Sequence, residues 1–253
     1  MTRREAMSRR DFVVAGSAAL GGLLFSGCSK TPLPPTYGNL LRMADDLTYV
    51  AHRALLPGQS LVREYSHKDI SSFPATGTFD PGVPGSPGYS EAYRGLQRNR
   101  FVDWRLSIEG SVERPGSYSL ADLKRFPSRT QITRHTCEEG WTAIGEWTGV
   151  PLSRVLIAAG MRPTARCVCF YTFDDWADSI DILDALHPQT LLAYGMNDRD
   201  LPTAHGAPVR LRVERQMGYK SLKYLQRIVV KDVFDDCGKK GNIQTGWAWY
   251  TGI

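Results

Sequence analysis

Cysteine and long apolar runs are both scarce in this sequence. Five cysteines among 253 residues are too few for a disulfide-based scaffold. No cysteine lies in a C-x-x-C or C-x-x-C-H pattern, so covalent attachment of a c-type haem is excluded and we predict no haem in this chain. The longest apolar run is shorter than the roughly 20 residues of a transmembrane helix, which argues against a multi-spanning membrane protein.

The charge of the chain is nearly balanced and is dispersed along its length. There are 31 lysine and arginine residues against 26 aspartate and glutamate residues. A nucleic-acid-binding protein would concentrate positive charge on a stripe or a tail, so we predict no nucleic-acid partner. With 42% hydrophobic and 23% charged residues, the composition is typical of a globular protein with a sizeable core.

The first 27 residues have the pattern of an export signal. Residues 8–12 have the sequence S-R-R-D-F, which resembles a twin-arginine signal, and a short apolar run rich in small residues follows at 13–25. The residues that end at Cys28 resemble the lipobox of a bacterial lipoprotein; the alternative is an ordinary signal with a chance cysteine near its cleavage site. We therefore expect a periplasmic protein, with Cys28 as a candidate site of lipid attachment.

The rest of the chain divides into a tether at 28–39, an irregular N-terminal arm at 40–95 and one domain at 96–253. The arm starts with the apolar spacing of a helix at 40–56 and continues as a long proline- and glycine-rich stretch, which is usually functional or wrapped over a domain. Short helices among many strands, without regular βαβ alternation, predict an α+β domain with a mixed sheet. The predicted helices of the domain are 119–124 and 151–160, and its predicted strands are 101–109, 130–134, 166–173, 190–194, 207–213 and 225–233.

A lone cysteine lies in an unusually polar segment. Cys137 follows Arg134 and His135 at the end of a predicted strand, and Glu139 comes shortly after it. Most lone cysteines are buried and inert, but a thiol in an electropositive pocket has a lowered pKa, and its thiolate attacks substrates or binds metals. Two functional alternatives follow: a Cys–His nucleophile that uses His135 or His205, and single thiolate ligation of a metal cofactor.

Three cations form a candidate anion-binding site. The segment H-G-A-P-V-R-L-R starts at His205, and strand alternation places its two arginines, of which Arg210 is the first, on one face. A glycine-led turn at Gly218 carries Lys220 and Lys223 three residues apart. Together these cations suit a phosphate or another anionic ligand, and the alternative is a solvated surface.

The other cysteines and a group of aspartates indicate no further site. Cys167 and Cys169 share one face of a predicted strand, and Cys237 is distant in sequence. Core thiols or one disulfide are favoured over a zinc site, because a C-x-C pair alone is weak evidence for metal binding. The aspartates within 174–181 lack the EF-hand pattern and its glycine, so we predict loop and turn roles for them.

Taken together, these segments resemble the sulfite oxidase family of molybdopterin-dependent oxidoreductases. The sequence L-L-A-Y-G-M-N at 191–197, L-P at 201–202 and H-G-A-P-V-R at 205–210 are similar to the family pattern L-L-A-Y-x-M-N…L-P…H-G-x-P-V-R. The turn at 218–225 is similar to the family's G-x-K/R-x-x-K-x-L turn, which contacts the pterin phosphate.

Two further motifs are nearer to the bacterial branch of that family. They are R-x-x-C-x-E-x-W at 134–141 and W-x-G-V-P-L at 147–152. This branch contains the periplasmic methionine-sulfoxide reductase catalytic subunit. The resemblance covers about residues 100–235, and the order of the motifs makes it specific; the arm at 40–95 has no part in it.

The resemblance implies a sulfite-oxidase-type fold with a single catalytic domain and a molybdenum–molybdopterin cofactor. Cys137 would be the protein thiolate on molybdenum, because a soft thiolate suits a metal already held by sulfur. Glu139 would lie near the open metal position as a proton relay, and Trp176 would lie at the catalytic mouth. The residues implied to bind the cofactor are Arg134, His135, Cys137, His205, Arg210, Gly218, Lys220, Ser221 and Lys223.

Two departures from the sulfite-oxidising members bear on the substrate. Those members have C-A-G-N-R-R at the metal cysteine, whereas Cys137 is followed by E-E-G-W, and Trp176 stands where they have a tyrosine. An acidic, aromatic mouth would repel sulfite, so we expect oxygen-atom transfer that reduces a neutral substrate such as a sulfoxide.

The resemblance also implies an electron partner, and other functions stay open. With no haem motif in the chain, electrons would be exchanged with a membrane b-type cytochrome, and without the family's C-terminal dimerisation domain a monomer is expected. One alternative is an oxidase of sulfite or another small anion on the same fold. Another is a metal-free, lipid-anchored binding protein, and an unrelated Cys–His hydrolase would leave the cations unexplained.

Overall fold

The structure of the chain is a computed structural model that describes residues 37–56, 58, 60–235, 237 and 248–253. The predicted signal at 1–27 and the tether up to residue 36 lie outside the described residues. Residues 42–253 belong to one compact unit. No helix of the described part is long and apolar enough to cross a membrane.

The described residues form one 19-residue helix, four short helices and ten strands. The helices are α1 (Tyr37–Leu55), α2 (Glu91–Arg98), α3 (Leu120–Arg125), α4 (Leu152–Ala158) and α5 (Ile182–Ala185), with 3-10 turns at His67–Asp69, Thr203–His205 and Gly218–Lys220. The strands are β1 (Leu106–Gly110), β2 (Gly116–Tyr118), β3 (Arg129–Thr136), β4 (Thr142–Pro151), β5 (Cys167–Thr172), β6 (Ala177–Asp181), β7 (Leu191–Met196), β8 (Arg199–Asp200), β9 (Arg210–Arg212) and β10 (Leu225–Lys231).

The strands form two sheets. The first has the order β2-β1-β10-β5-β6, in which β1 and β10 run parallel while the other neighbours are antiparallel. The second has the antiparallel order β3-β4-β7-β8, and β9 pairs with β7. The predicted α+β class, with mixed sheets and short helices, is therefore confirmed.

Strand alternation gives the second sheet two different buried faces. Leu192 on β7 and Leu211 on β9 belong to the main core, which includes Phe170 of the first sheet. Leu191 on β7 and Trp147 on β4 belong instead to a smaller cluster. This second face carries the cavity described below.

The arm is tied to the domain by a helix that the sequence analysis did not predict. The hydroxyl of Ser90 accepts a hydrogen bond from the backbone N–H of Tyr93, which caps the start of α2. The Tyr93 side chain is buried and donates from its hydroxyl to the carbonyl of Ala207 at 2.6 Å. The predicted boundary between arm and domain, at residues 95 and 96, therefore falls inside α2. The predicted helix at 40–56 is confirmed as α1.

Several predicted strand limits change because of local backbone geometry. The strand predicted at 101–109 begins only at β1, since Arg100 and Phe101 adopt positive φ angles of 55° and 61° in a turn after α2. The strand predicted at 207–213 is reduced to β9, because Pro208 has no N–H to donate to the ladder. Strand β4 was not predicted, because its glycines weaken the local strand pattern. One of them, Gly149, is required by packing, since the backbone of β7 leaves no space for a side chain at that position.

The cysteines and aspartates have structural roles. Cys169 on β5 forms a disulfide with Cys237, and Cys167 is a buried free thiol. Of the two alternatives for these cysteines, core thiols or one disulfide, the structure shows the disulfide. Asp181 caps α5 by accepting from the N–H of Asp184. The disulfide fixes the segment after β10 against the first sheet.

Candidate active site

A cavity of about 380 Å³ opens where the β3–β4 hairpin, the arm and the 218–223 segment meet. This volume lies within the range of small-molecule and cofactor sites. The predicted residues that line it are His135, Cys137, Glu139, Trp176, His205, Arg210, Gly218, Ser221 and Lys223. The sequence motifs are thus largely brought together in one place.

Cys137 is the first residue of the tight hairpin turn between β3 and β4. Its N–H donates to the carbonyl of Trp141 at 3.0 Å, and its carbonyl accepts from Gly140, whose φ of +88° favours glycine. The thiol is buried, and its Sγ lies 3.5 Å from a carboxylate oxygen of Glu138. Burial first, and then the negative charge of Glu138, raises the pKa of the Cys137 thiol to about 11. The lowered pKa suggested by the sequence is therefore not found, and a bound cation would be needed to hold this group as a thiolate at neutral pH.

His135 is buried beside Cys137 as a neutral ring. Its Nδ1 lies 2.6 Å from a guanidinium nitrogen of Arg212, which can only donate, so Nδ1 accepts. Burial and then the charge of Arg212 lower the pKa of His135 far below its usual value. The Nε2 atom of His135 occupies the space that a side chain at position 218 would need, so only glycine fits at that position. An imidazole engaged in this way is a poor general base, which counts against His135 as the partner of a Cys137 nucleophile.

Arg210 and Arg212 lie on one face of β9, as strand alternation predicted, and both lie over the ring of Trp147. The guanidinium carbons of Arg210 and Arg212 are 5.1 and 4.4 Å from the ring centroid. Arg212 forms a buried ion pair with Glu214 at 2.7 Å. Arg210 instead donates to main-chain carbonyls, including that of Ser221 at 2.6 Å, and burial followed by the charge of Arg212 lowers its pKa to about 9. Arg210 thus lines the cavity and, among the described residues, its hydrogen bonds go to carbonyl oxygens and not to a carboxylate. Its positive charge is therefore well placed to bind an anion.

Lys223 fixes the arm over the cavity. Its Nζ donates to the carbonyls of Thr76 and Thr78, each at 2.7 Å, and to that of Ala204 at 2.9 Å. Tyr224 donates to the same Thr78 carbonyl at 2.9 Å. Burial, and then the charge of Arg210, lowers the pKa of Lys223 to about 7.

The arm supplies site residues that the motif analysis missed. Residues 73–78 line the cavity, and the Phe73 ring lies 5.1 Å from His135, 5.7 Å from Trp141 and 5.6 Å from His205 between centroids. The signal in the sequence was the length of the proline- and glycine-rich stretch, which indicated a segment wrapped over the domain but not which residues reach the site.

The mouth of the cavity is acidic and aromatic. Glu138 and Glu139 are exposed, and the indole N–H of Trp141 donates to Glu139 at 2.9 Å. Asp174 and Trp176 line the same opening from the loop between β5 and β6. This arrangement matches the mouth expected from the sequence.

Two predicted cofactor contacts lie elsewhere. Arg134 is adjacent to His135 on β3, so its side chain points to the opposite face, where it donates to the Tyr65 hydroxyl at 2.5 Å. Lys220 is fully buried, with its Nζ 2.5 Å from a carboxylate oxygen of Asp178. Neither side chain lines the cavity, and we assign both structural roles.

Residues 95–236 match the model of one protein family, described as the oxidoreductase molybdopterin binding domain. The chain belongs to this family. It is thus a molybdopterin-dependent oxidoreductase of the sulfite oxidase type, and its cofactor is the molybdenum cofactor.

Several proteins are similar to this molybdopterin oxidoreductase over half of the chain or more. A putative protein-methionine-sulfoxide reductase subunit of Azospira oryzae is 35% identical over 234 residues, which cover 91% of this chain and 83% of the relative. The protein-methionine-sulfoxide reductase catalytic subunit of Xanthomonas axonopodis pv. citri is 37% identical over 85% of this chain and 67% of its own length. The sulfane dehydrogenase SoxCD of Paracoccus pantotrophus is similar in structure with a TM-score of 0.49 and 27% identity, over 52% of this chain and 39% of that chain.

The residues around the cavity fit the molybdenum cofactor. Cys137 offers a soft sulfur ligand inside the cavity, which suits a metal that prefers sulfur donors. Arg210 offers positive charge to the anionic end of the pterin, and Gly218, Ser221 and Lys223 line the same cavity.

Proposed function

We propose that this oxidoreductase reduces a neutral sulfoxide, with methionine sulfoxide as the substrate class. The observation that carries the proposal is the acidic, aromatic mouth around Cys137, formed by Glu138, Glu139, Trp141 and Trp176. The two relatives named above as methionine-sulfoxide reductase proteins support it.

Electrostatics favour a neutral substrate at this mouth. Two like charges about 4 Å apart repel by about 1 kcal/mol in water and about 4 kcal/mol near a protein surface. Glu138, Glu139 and Asp174 would repel sulfite at the mouth in this way, whereas a sulfoxide carries no net charge. The rings of Phe73, Trp141 and Trp176 would contact the apolar groups of a sulfoxide and the sulfur of its thioether product.

Each group of the cavity has a task in this reaction. The bound molybdenum cofactor supplies two-electron oxygen-atom transfer, so that a sulfoxide, two electrons and two protons give a thioether and water. Cys137 would hold the metal and Arg210 would hold the anionic pterin, while Lys223 holds the arm over the cavity. Glu139 reaches both solvent and the cavity, so it can deliver protons, while the Phe73 ring shields the site from water.

A pair of assays on the metal-loaded protein tests the substrate. With a reduced dye as electron donor, we expect oxidation of the dye that depends on free or protein-bound methionine sulfoxide. With an oxidised dye as acceptor, sulfite should give no turnover above background. Rapid sulfite oxidation together with inert sulfoxides would overturn the proposal and favour the oxidase alternative.

We also propose that the protein is exported to the periplasm as a folded monomer and exchanges electrons with a membrane b-type cytochrome. The S-R-R-D-F segment at 8–12 supports export by the twin-arginine route, which carries folded proteins. The Cys169–Cys237 disulfide suits an oxidising compartment. Cys28 is the site we propose for lipid attachment.

Replacing Arg9 and Arg10 with lysine should leave the folded precursor in the cytoplasm, because the export route recognises the arginine pair. Cell fractionation followed by immunoblotting measures the distribution. The matched control changes Arg3 and Arg4, which lie outside the pattern, to lysine, and this variant should be exported normally. Normal export of the Arg9 and Arg10 variant would exclude the twin-arginine route.

A further inference from the structure

Helix α1 is attached to the domain through an aromatic and charged side. Arg53 forms ion pairs with Asp181 and Asp184, each at 2.8 Å. Tyr49 packs edge-on against Trp249 with ring centroids 5.6 Å apart. Because Tyr49 and Arg53 are four residues apart, they lie on the same side of the helix. The polar side of α1 is therefore the side that faces the protein.

The outer side of α1 is apolar and exposed. Met43, Leu47, Val50 and Ala54 follow the spacing of a single helical stripe. Leu47 is 62% exposed and Val50 is 60% exposed. A surface helix normally turns its apolar stripe toward the core, so the orientation of α1 is the reverse of the usual one.

The segment after β10 adds to this surface. Val233 is 66% exposed and Phe234 is 57% exposed. The Phe234 ring contacts Tyr49 at 6.3 Å between centroids, which places it beside α1. We call Leu47, Val50, Val233 and Phe234 the apolar face. Exposed apolar side chains on a helix and on the segment beside it are typical of a protein or membrane interaction site.

The position of α1 in the chain indicates what covers the apolar face. Cys28 precedes Tyr37, the first residue of α1, by nine residues, which span at most about 30 Å when fully extended. A lipid on Cys28 would hold α1 within that distance of a bilayer. An apolar helix face held this close to a bilayer can enter its interface, because membrane binding scales with the apolar area that is buried.

We propose that the apolar face lies in the interface of a lipid membrane, with α1 parallel to the bilayer. The inference rests on the proposed export and lipid attachment but not on the proposed reaction. Because the face is apolar rather than basic, its binding should depend little on anionic lipid or on salt.

Vesicle sedimentation of the metal-loaded protein without residues 1–27 and with Cys28→Ser tests this proposal in the absence of both the lipid anchor and the apolar run of the signal. We expect this protein to sediment with phosphatidylcholine vesicles at both low and high salt. The further changes Leu47→Gln and Val50→Gln should reduce the bound fraction by about tenfold or more, because they place polar amides in the interface. Dye-linked turnover should stay unchanged, since neither residue lines the cavity.

The matched control is Ile157→Gln on α4, where an apolar side chain is 65% exposed outside the apolar face. This variant should bind vesicles as the parent protein does. Failure of the parent to bind vesicles would overturn the proposal, as would equal binding by the Leu47 and Val50 variant. If the parent protein binds native membranes but not pure lipid, the apolar face contacts a membrane protein instead. If the parent protein is a dimer and the Leu47 and Val50 variant is a monomer, the apolar face contacts a second copy of the chain. A failed sulfoxide assay would leave these results unaffected.

Discussion

Serine in place of Cys137 should abolish the metal-centred signals and the turnover of this oxidoreductase while leaving its fold intact. Serine keeps the shape of the side chain but replaces a soft thiol with a hard, weakly acidic hydroxyl, which is a poor ligand for this metal. The pterin should still bind, because Arg210, His205 and the 218–223 turn are unchanged. Changes to residues that only contact a metal ligand commonly cost 10–100-fold, so loss of the ligand itself should cost more than about 100-fold in turnover.

Visible absorption, electron paramagnetic resonance of the metal and steady-state turnover measure this effect. The control is Cys167→Ser, because Cys167 is the other free buried thiol among the described residues, and its Sγ contacts the carbonyl of Asp235 at 3.4 Å. That variant should lose stability at most. A Cys137→Ser protein with a native metal signal and most of its rate would show that the thiolate is not a ligand.

The fold could be predicted where the local pattern was strong. Strands β5 and β10 are close to their predicted limits because β5 contains aromatic and β-branched residues and β10 contains three successive β-branched residues. Their neighbours could not be predicted, since β10 pairs in parallel with β1, more than a hundred residues earlier in the chain. Such pairing depends on the packing of the whole core, so the local sequence of either strand does not indicate it.

The site was predicted most accurately where a motif fixes both residue type and local geometry. Cys137 lies in a tight hairpin turn and Arg210 lies on a strand, so their directions follow from their own segments. Lys220 and Lys223 look equivalent in the sequence, yet one is buried against Asp178 and the other holds the arm. Their difference is set by partners 42 and 147 residues away, which no local pattern reveals.

Replacing Lys220 with methionine should therefore destabilise the fold rather than weaken cofactor binding directly. Both Lys220 and Asp178 are almost fully buried, and Lys220 also donates to the carbonyl of Ser179 at 3.0 Å. Removing one partner leaves the other charge buried, which costs about 3–5 kcal/mol. For a chain of this size the midpoint of thermal unfolding should fall by roughly 6–20 °C. Thermal and urea unfolding of the cofactor-free protein measure the loss.

Two comparisons separate this role from the phosphate contact that the sequence predicted. Combining Lys220→Met with Asp178→Leu should restore much of the lost stability, because a buried ion pair can be replaced by apolar residues of similar volume at little cost. Lys124→Met removes an exposed pair with Asp200 at 3.6 Å and should cost no more than about 1 kcal/mol. If Lys220 bound the phosphate, its methionine variant would keep the stability of the cofactor-free protein and lose cofactor occupancy, and the second change at Asp178 would rescue nothing.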